Sequence, residues 1–477
     1  MVEKPLVVDL DGTLIHSDML HETAIRVFRD SPFEALRIPF LLTKGKAHLK
    51  QHLASHTDID PQTLPYNEEL LDWLKQQRAE GRRLVLCTAS DRTIAEPIAA
   101  HLGIFDEVIA SDGVVNMGGA HKADTLVGRF SPQGYDYAGN SHKDVPVWSQ
   151  ADKAIVVNSS KGVLRQAEGV ASVERVFPRR AVGFAGWRAV LRIHQWLKNV
   201  LLFIPLFASH DIGNGQAWLS LMLAFVAFSL CASSVYIAND LLDLESDRLH
   251  PRKRHRPFAS GLVPAWQGVL VAPLLLGIAL TLAQFVGQDF FVWLIFYFAL
   301  TCAYSLILKR LMLVDCLTLA LLYTSRIVAG AAAVGHELSF WLLAFSGFLF
   351  LSLSFVKRYA EMEVQLHSGR EKVHGRGYHT SDAPLIQSLG TGAGYASVLV
   401  LALYLNSDAV RKLYSAPELV WGTVPVMLFW VCWMWMQAHR GKMHDDPLVF
   451  AVKDPASLCA GAVFAVFLVA GTLGGAW

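Results

Sequence analysis

The chain has 477 residues, 53% of them hydrophobic and only 17% charged, with a formal net charge of +1. A chain this close to neutral offers no electrostatic footprint for nucleic acid. The averages conceal two unlike halves: residues 1 to about 180 have soluble composition, and the rest is a series of apolar runs with charges gathered between them. The six cysteines (Cys87, Cys231, Cys302, Cys316, Cys432, Cys459) show no C-x-x-C spacing and read as small core hydrophobes, not as disulfides or a zinc site. The apolar run ending at Leu10 is too short for a cleavable signal, so the soluble half is expected in the cytoplasm.

In chain order, Leu6-Val7-Val8 is a buried-strand pattern that runs into Asp9-Leu10-Asp11-Gly12-Thr13-Leu14. Leu84 to Cys87 is a second strand signal, ending in Thr88-Ala89-Ser90-Asp91, and Tyr135 to Ala138 another, ending in Gly139-Asn140-Ser141 and then Asp144. Helical stretches lie between them (Pro65 to Glu80, Thr93 to Leu102), which predicts a Rossmann-like α/β domain with a parallel, doubly wound sheet. Residues that end such strands point into the crevice where α/β domains bind ligands. Residues 16–62 have helical periodicity and no strand signal, so they are expected to form a small cap.

The D-x-D-G-T stretch from Asp9 resembles the opening motif of the haloacid dehalogenase superfamily of phosphohydrolases, over roughly residues 1–175 of a domain set at 1–178. The resemblance implies that Asp9 is the nucleophile forming an aspartyl-phosphate and Asp11 the general acid/base. It also implies that Thr88 and Lys122 hold the phosphate and that Asp144, with Asp9 and Asp11, binds magnesium. The family's last motif is usually G-D-x-x-x-D, and Asn140 stands where its first aspartate is expected. That keeps an oxygen ligand and removes a charge, so weaker metal binding or an inactive domain is the alternative.

Arg175, Arg179, Arg180, Arg188 and Arg192 make a basic approach to the membrane, with Trp187 and Trp196 as interfacial anchors and a linker near 175–187. Residues 185–477 are expected to form an all-α polytopic domain of nine spans, near 195–210, 217–238, 264–286, 289–308, 312–335, 339–358, 384–406, 417–438 and 456–476. The loops after the second, fourth, sixth and eighth carry the positive charge, whereas the opposite loops hold little beyond Arg411 and Lys412. This puts the soluble half in the cytoplasm and Trp477 outside a bacterial-type inner membrane.

The densest chemistry follows the second span. On a helix, Asn239, Asp243 and Asp247 fall four apart on one face, with Asp240 three before Asp243. Carboxylates at the end of a membrane helix are costly and usually functional. Hard oxygen ligands suit magnesium completed by a substrate's phosphates, and Arg248, Arg252, Lys253, Arg254 and Arg256 supply donors for phosphate oxygens. The plainer alternative for the basic residues is a solvated, positive-inside loop. Further on, Tyr304, Lys309 and Asp315 repeat the pattern in weaker form, and Asp315 just inside a span needs a partner. Arg326, beside Tyr323 in an apolar run, needs a counter-charge or a substrate. Lys357-Arg358-Tyr359-Ala360-Glu361 ends the sixth span, and Gly390 to Gly394 is expected to let two helices approach closely. His250 and His255 read as incidental.

N-D-x-x-D-x-x-x-D on the second span resembles the UbiA superfamily of membrane prenyltransferases, over residues 185–477. Most members carry a second pair, D-x-x-x-D, but here Leu319 stands four residues after Asp315. The spacing from Tyr304 through Lys309 to Asp315, D-x-x-H-P-x-K-x-x-R-P, and the stretch from Arg192 through Gln195, Trp196, Lys198 and Asn199 are similar to one branch, the polyprenyl-phosphate phosphoribosyltransferases. That branch implies phosphoribosyl diphosphate as donor and a polyprenyl phosphate as acceptor. Asn239, Asp240, Asp243 and Asp247 would hold magnesium on the donor, with Arg248, Lys253 and Arg256 neutralising phosphate charge. Lys309, with Lys198, Lys357 or Arg358, would hold the lipid phosphate, and Asn199, Tyr304, Asp315 and Arg326 complete the expected substrate contacts. The competing readings are an ordinary prenyltransferase with an aromatic or tetrapyrrole acceptor, and a transporter coupling ions through Asp240 and Asp315. Polyprenol length and oligomeric state leave no signature in the sequence.

Overall fold

A computed structural model describes residues 4–35, 37–367, 377–407, 410, 413–443 and 446–474. Residues 368–376, Arg411, Lys412 and Trp477, which entered the topology reasoning, lie outside the described residues. The chain divides into two compact units, one of Met1–Leu191 with Tyr236–Pro273 and one of Arg192–Val235 with Leu274–Trp477.

In the first unit six strands, β1 (Leu6–Val8), β2 (Leu84–Asp91), β3 (Glu107–Ser111), β4 (Asp136–Gly139), β5 (Lys153–Ser159) and β6 (Ser172–Pro178), form one parallel sheet in the order β3-β2-β1-β4-β5-β6. Period-2 alternation divides their side chains between two cores. Leu6, Val8, Leu84 and Leu86 pack with Trp73, Leu74 and Ile98 on one face, while Val7, Val85, Ala154 and Val156 pack with Leu126 and Trp148 on the other. Strand order reverses at β1, whose Val7 pairs Val85 on one side and Tyr137 on the other, so ligands are expected at the carboxyl ends of β1, β2 and β4. β3, β5 and β6 were not anticipated, and β6 absorbs part of the expected linker: Arg175 lies 5.5 Å over Trp73 and 5.0 Å over Phe177. Helices α1 (Met19–Asp30) and α2 (Lys46–Ser55) share a small core of Val27, Leu41, Leu49 and Leu53.

Among the described residues eight helices are long and apolar enough to cross a membrane: α3 (Gly215–Leu242), α4 (Ala265–Val286), α5 (Gln288–Leu306), α6 (Val314–Val334), α7 (Phe340–Leu366), α8 (Thr380–Leu405), α9 (Pro417–His439) and α10 (Pro455–Leu473). The expected first span is different in kind. Ile193–Phe203 winds as a 3₁₀ helix from Arg192 in the left-handed region (φ 50°), and Ile204–Ala208 follows with Pro205 near its start. It falls short of the roughly 20 residues an α-helical crossing needs. The close helix approach expected at the glycines is present: a Cβ on Gly390 would come within 2.2 Å of Trp435, and one on Gly394 within 2.6 Å of Val431.

Candidate functional site

At the carboxyl end of the α/β sheet, Lys122 places its ammonium against Asp9 Oδ1 (2.8 Å), the Cys87 carbonyl (3.1 Å) and Tyr137 Oη (2.9 Å). All three of its donors are used. Tyr137 in turn donates to Asp144 Oδ1 at 2.8 Å, and Asp144 Oδ2 accepts from the backbone of Asn140 (3.1 Å) and Ser141 (2.9 Å) and from Ser141 Oγ (2.9 Å). Asp144 is thus occupied by protein donors and anchors the wall that holds Lys122. Asn140 comes closer to the D-x-D-G-T turn, since a Cβ on Gly12 would come within 2.1 Å of its Nδ2. Asp11 accepts from Met19 N (2.8 Å) and Ser90 Oγ (2.7 Å), and Thr88 Oγ1 accepts from Ser90 N (3.0 Å).

Burial pushes the Asp9 carboxyl up to about 7 in spite of Lys122, and Asp144 and Asp11 push the same way. Burial also raises Asp11, with Asp18 adding to it. Three carboxyls, Asp9, Asp11 and Asp144, against Lys122 and Lys50 leave negative charge for a hard cation to balance, and the oxygen donors of Asp9, Asp11 and Asn140 suit magnesium. Ser90, Tyr137 and Lys50, whose Nζ donates to the Ala89 carbonyl at 2.7 Å, complete the crevice and were missed in the sequence.

The acidic face after α3 keeps its expected spacing. Helical geometry lapses at Asp243 (φ −98°, ψ 12°) before a short helix, Leu244–Leu249, resumes. Bonds from Asp243 N to the Asn239 carbonyl (2.9 Å) and from Asp247 N to the Asp243 carbonyl (2.8 Å) carry the four-residue register across. Arg256 Nη1 bridges Asp240 Oδ1 (3.0 Å) and Asp247 Oδ2 (2.5 Å). Asp247, 1% exposed, keeps Oδ1 buried with no hydrogen bond among the described residues, and Lys253 Nζ stands 3.8 Å from it. Burial raises the Asp247 pKa against the pull of Arg256. An orphan carboxylate oxygen beside a second buried carboxylate fits a hard cation. Arg248, expected on phosphate, is engaged elsewhere: Nε donates to the Ala259 carbonyl (2.9 Å), Nη2 to Glu22 Oε1 (2.5 Å) and Nη1 to Glu22 Oε2 (3.2 Å).

In the second unit six of the predicted residues fall into three groups. Lys198 and Lys357 meet on Asp446, at 2.8 and 3.4 Å, and Tyr323 Oη donates to the same carboxylate at 2.7 Å. Burial opposes the ionised form of Asp446, but Lys198 and Lys357 hold it well below the usual carboxylate range. Asp315 pairs with Arg358 Nε at 2.8 Å, accepts from Tyr378 Oη at 2.5 Å, and like Arg358 is 0% exposed. The Arg358 guanidinium also donates to Glu361. Arg326 meets no carboxylate among the described residues: Nε donates to Asn199 Oδ1 (2.9 Å), Nη2 to Tyr297 Oη (3.0 Å) and Nη1 to the Leu322 carbonyl. The rings of Tyr297 (4.9 Å) and Phe228 (5.4 Å) cover the Arg326 guanidinium. Tyr304 is partly buried, and Lys309, also partly buried, makes no hydrogen bond or ion pair among the described residues. Asp446 was missed, although Asp-Pro opening the helix Pro447–Ala451 is a helix-start signal.

Residues 200–453 match the UbiA prenyltransferase family, and residues 6–148 match the haloacid dehalogenase-like hydrolases. The chain is 38% identical to "Uncharacterized protein y4nM" of Sinorhizobium fredii, over 97% of this chain and 90% of that protein. It is 36% identical to "Nodulation protein NoeC" of Azorhizobium caulinodans, over 58% of this chain and 90% of that one. It is also 30% identical to "Decaprenyl-phosphate phosphoribosyltransferase" of Mycolicibacterium smegmatis, over 57% of this chain and 87% of that one.

Proposed function

The chain belongs to the UbiA prenyltransferase family and carries a haloacid dehalogenase-like domain ahead of the membrane domain, and from that premise we propose that it transfers phosphoribose from phosphoribosyl diphosphate to a polyprenyl phosphate. The soluble domain, bounded near 1–178, then removes the 5-phosphate of the lipid product. The protein is multi-pass, and the reading places it in a bacterial-type inner membrane with the soluble domain cytoplasmic.

The observation that carries this reading is the state of Asp315. It is closed off by Arg358 and Tyr378, and Leu319 stands where a second D-x-x-x-D would end. The carboxylate pair of Asp240 and Asp247, bridged by Arg256, suits one diphosphate, and the lysine group of Lys198 and Lys357 on Asp446, with Lys309, suits a phosphorylated acceptor. The 30% identical mycobacterial relative named as a phosphoribosyltransferase supports it.

Magnesium held by Asn239, Asp240, Asp243 and Asp247 would neutralise the donor's diphosphate and make it a better leaving group. Arg256 and Lys253 take phosphate oxygens as the bond from the anomeric carbon to the diphosphate breaks. Lys198 and Lys357, gathered by Asp446, and Lys309 hold the acceptor phosphate, whose oxygen attacks that carbon. No general base is needed, because the attacking phosphate is already ionised. In the soluble domain Asp9 attacks the 5-phosphate, Asp11 protonates the leaving ribose oxygen, and water then releases phosphate from Asp9. Thr88 and Lys122 hold the phosphate, while Asp9, Asp11 and Asn140 are suited to hold magnesium.

Asn140 favours a second reading, a prenyltransferase with an inactive soluble domain, because it removes one charge from that magnesium site. The experiment supplies membranes with labelled phosphoribosyl diphosphate and polyprenyl phosphate, and separately with a prenyl diphosphate and an aromatic acid. Wild type should make lipid-linked ribose, and Asp9→Asn its 5-phosphate form. A prenylated aromatic product with no labelled lipid would overturn the first reading in favour of the second.

A further inference from the structure

Helix α1 touches both chemistries of the first unit. Its first residue donates its backbone N–H to Asp11 Oδ1 at 2.8 Å. One turn on, Glu22 receives the Arg248 guanidinium on both oxygens, at 2.5 and 3.2 Å. A turn further, Arg26 Nη2 donates to both oxygens of Glu245, at 3.0 and 2.8 Å, and Arg29 Nη1 stands 3.6 Å from the same carboxylate. Positions 22, 26 and 29 follow the i, i+4, i+7 spacing of a single helical stripe, and their partners flank Asp247 in the chain. Gly261 closes a third contact: its φ is +69°, and a Cβ there would come within 2.5 Å of His16 Cβ. Exposed ion pairs contribute little, but the Glu22 and Arg248 side chains are only 11% and 8% exposed, and their two-oxygen geometry fixes orientation as well as charge.

We propose that Glu22 and Arg26 are positioning residues for the diphosphate site. The cap helix of the soluble domain holds Arg248 and Glu245, and through them sets where Asp247 and Arg256 stand. Arg248 thus acts on the diphosphate through the backbone it anchors and not by touching phosphate. Any shift of α1 during turnover at Asp11 is passed to the loop. The inference rests on the proposed function only in taking the Asp240–Arg256 loop as a magnesium-diphosphate site.

The test uses the full chain in detergent with magnesium pyrophosphate as the probe, titrated calorimetrically, and assigns to the loop the binding heat that Asp240→Asn removes. Glu22→Arg and Arg248→Glu should each weaken that binding about tenfold, and the double exchange should restore it to within about twofold of wild type. Glu22→Gln, which keeps the side-chain volume, should weaken it about threefold with the thermal midpoint followed in parallel. A pair that merely holds the fold would lower the midpoint and leave the affinity unchanged, and that result would overturn the inference. So would a double exchange no better than Arg248→Glu alone, because Arg248 would then be touching the anion itself. If the loop responds as expected but wild type transfers no phosphoribose, the inference stands and the proposed reaction fails. If wild type shows no loop-dependent heat, both fail.

Discussion

The reading of Asp315 as a structural carboxylate makes a quantitative prediction. Asp315→Leu leaves the fully buried Arg358 with Glu361 as its remaining carboxylate, a side chain 34% exposed, and takes the acceptor from Tyr378 Oη. Removing one partner of a buried pair costs about 3–5 kcal/mol, chiefly because the other charge stays buried and uncompensated. Since Glu361 retains part of the Arg358 charge, the lower end, about 3 kcal/mol, is expected, which is more than a hundredfold in the folded-to-unfolded ratio. Replacing both charges, as Asp315→Leu with Arg358→Met, should return stability to within about 1–2 kcal/mol of wild type, because apolar side chains of similar volume need no desolvation. The assay is a denaturant titration in detergent followed by tryptophan fluorescence, with transfer to lipid measured on the same samples. The double variant should be folded and should keep most of its transfer activity. A folded double variant with no transfer would refute the reasoning, since Asp315 or Arg358 would then be acting on substrate. A single variant as stable as wild type would refute it from the other side.

Asp247→Asn should reduce transfer by about a hundredfold or more with little change in fold, because it removes charge from the metal site while keeping size; near-wild-type turnover would remove the metal assignment. Lys309→Ala should raise the KM for the lipid phosphate about tenfold and leave the donor's KM unchanged, as steady-state kinetics with each substrate varied will show. His16 is held down to about 4, from 6.5, by burial and by Arg180. Below 6.5 the unfolded chain therefore binds the extra proton. Stability carried by neutral His16 is intact above about 6.5 and lost as pH falls toward 4. Denaturation midpoints at pH 7 and 5 should differ more in wild type than in His16→Gln.

The legible parts of the molecule share one property: their information is local. Asp9 and Asp11 follow a short apolar run and could be placed at a strand end from sequence, Thr88 follows another but lies inside β2, which runs on to Asp91, and the i, i+4 register of Asn239, Asp243 and Asp247 survives a lapse in the helix because two backbone bonds bridge it. Partner choice across long separations is not local. Nothing near Arg248 points to Glu22, 226 positions away, and nothing near Lys198 points to Asp446, 248 positions away. Asp144 shows a different limit: its partners Tyr137, Asn140 and Ser141 lie within seven positions of it, and its saturation depends on how β4 and the turn after it fold. What separates a ligand from an anchor among these buried carboxylates is how tightly a fixed partner holds them. Asp144 is enclosed by hydrogen-bond donors and Asp315 is paired at 2.8 Å with the fully buried Arg358, whereas the half-exposed Lys253 stands 3.8 Å from Asp247 Oδ1.

That leaves the number of crossings, where helix length and residue contacts pull apart. Among the described residues eight helices are long enough to span, and eight crossings beginning at Gly215 would leave residues just before α3 and just after α10 on one side. Yet Glu22 binds Arg248 and Arg26 binds Glu245, so the soluble domain and the loop after α3 lie on the same side. If α3 crosses, the chain from Arg192 to Asn214 must cross in the opposite sense. Its 16 residues are too few only at the α-helical rise. The 11 residues of Ile193–Phe203 in 3₁₀ form rise about 2.0 Å each, and the five of Ile204–Ala208 about 1.5 Å, together about 30 Å, the thickness of the hydrocarbon core. Nine crossings are therefore predicted, in agreement with Lys309, Arg310, Arg440 and Lys442 on the side of the soluble domain. A reporter fused after Trp477 should be active outside the cytoplasm while one fused before Met1 is active within it. Two cytoplasmic reporters would mean that Ile193–Ala208 does not cross, and that the contacts between α1 and the loop after α3 are not made in the membrane-embedded protein.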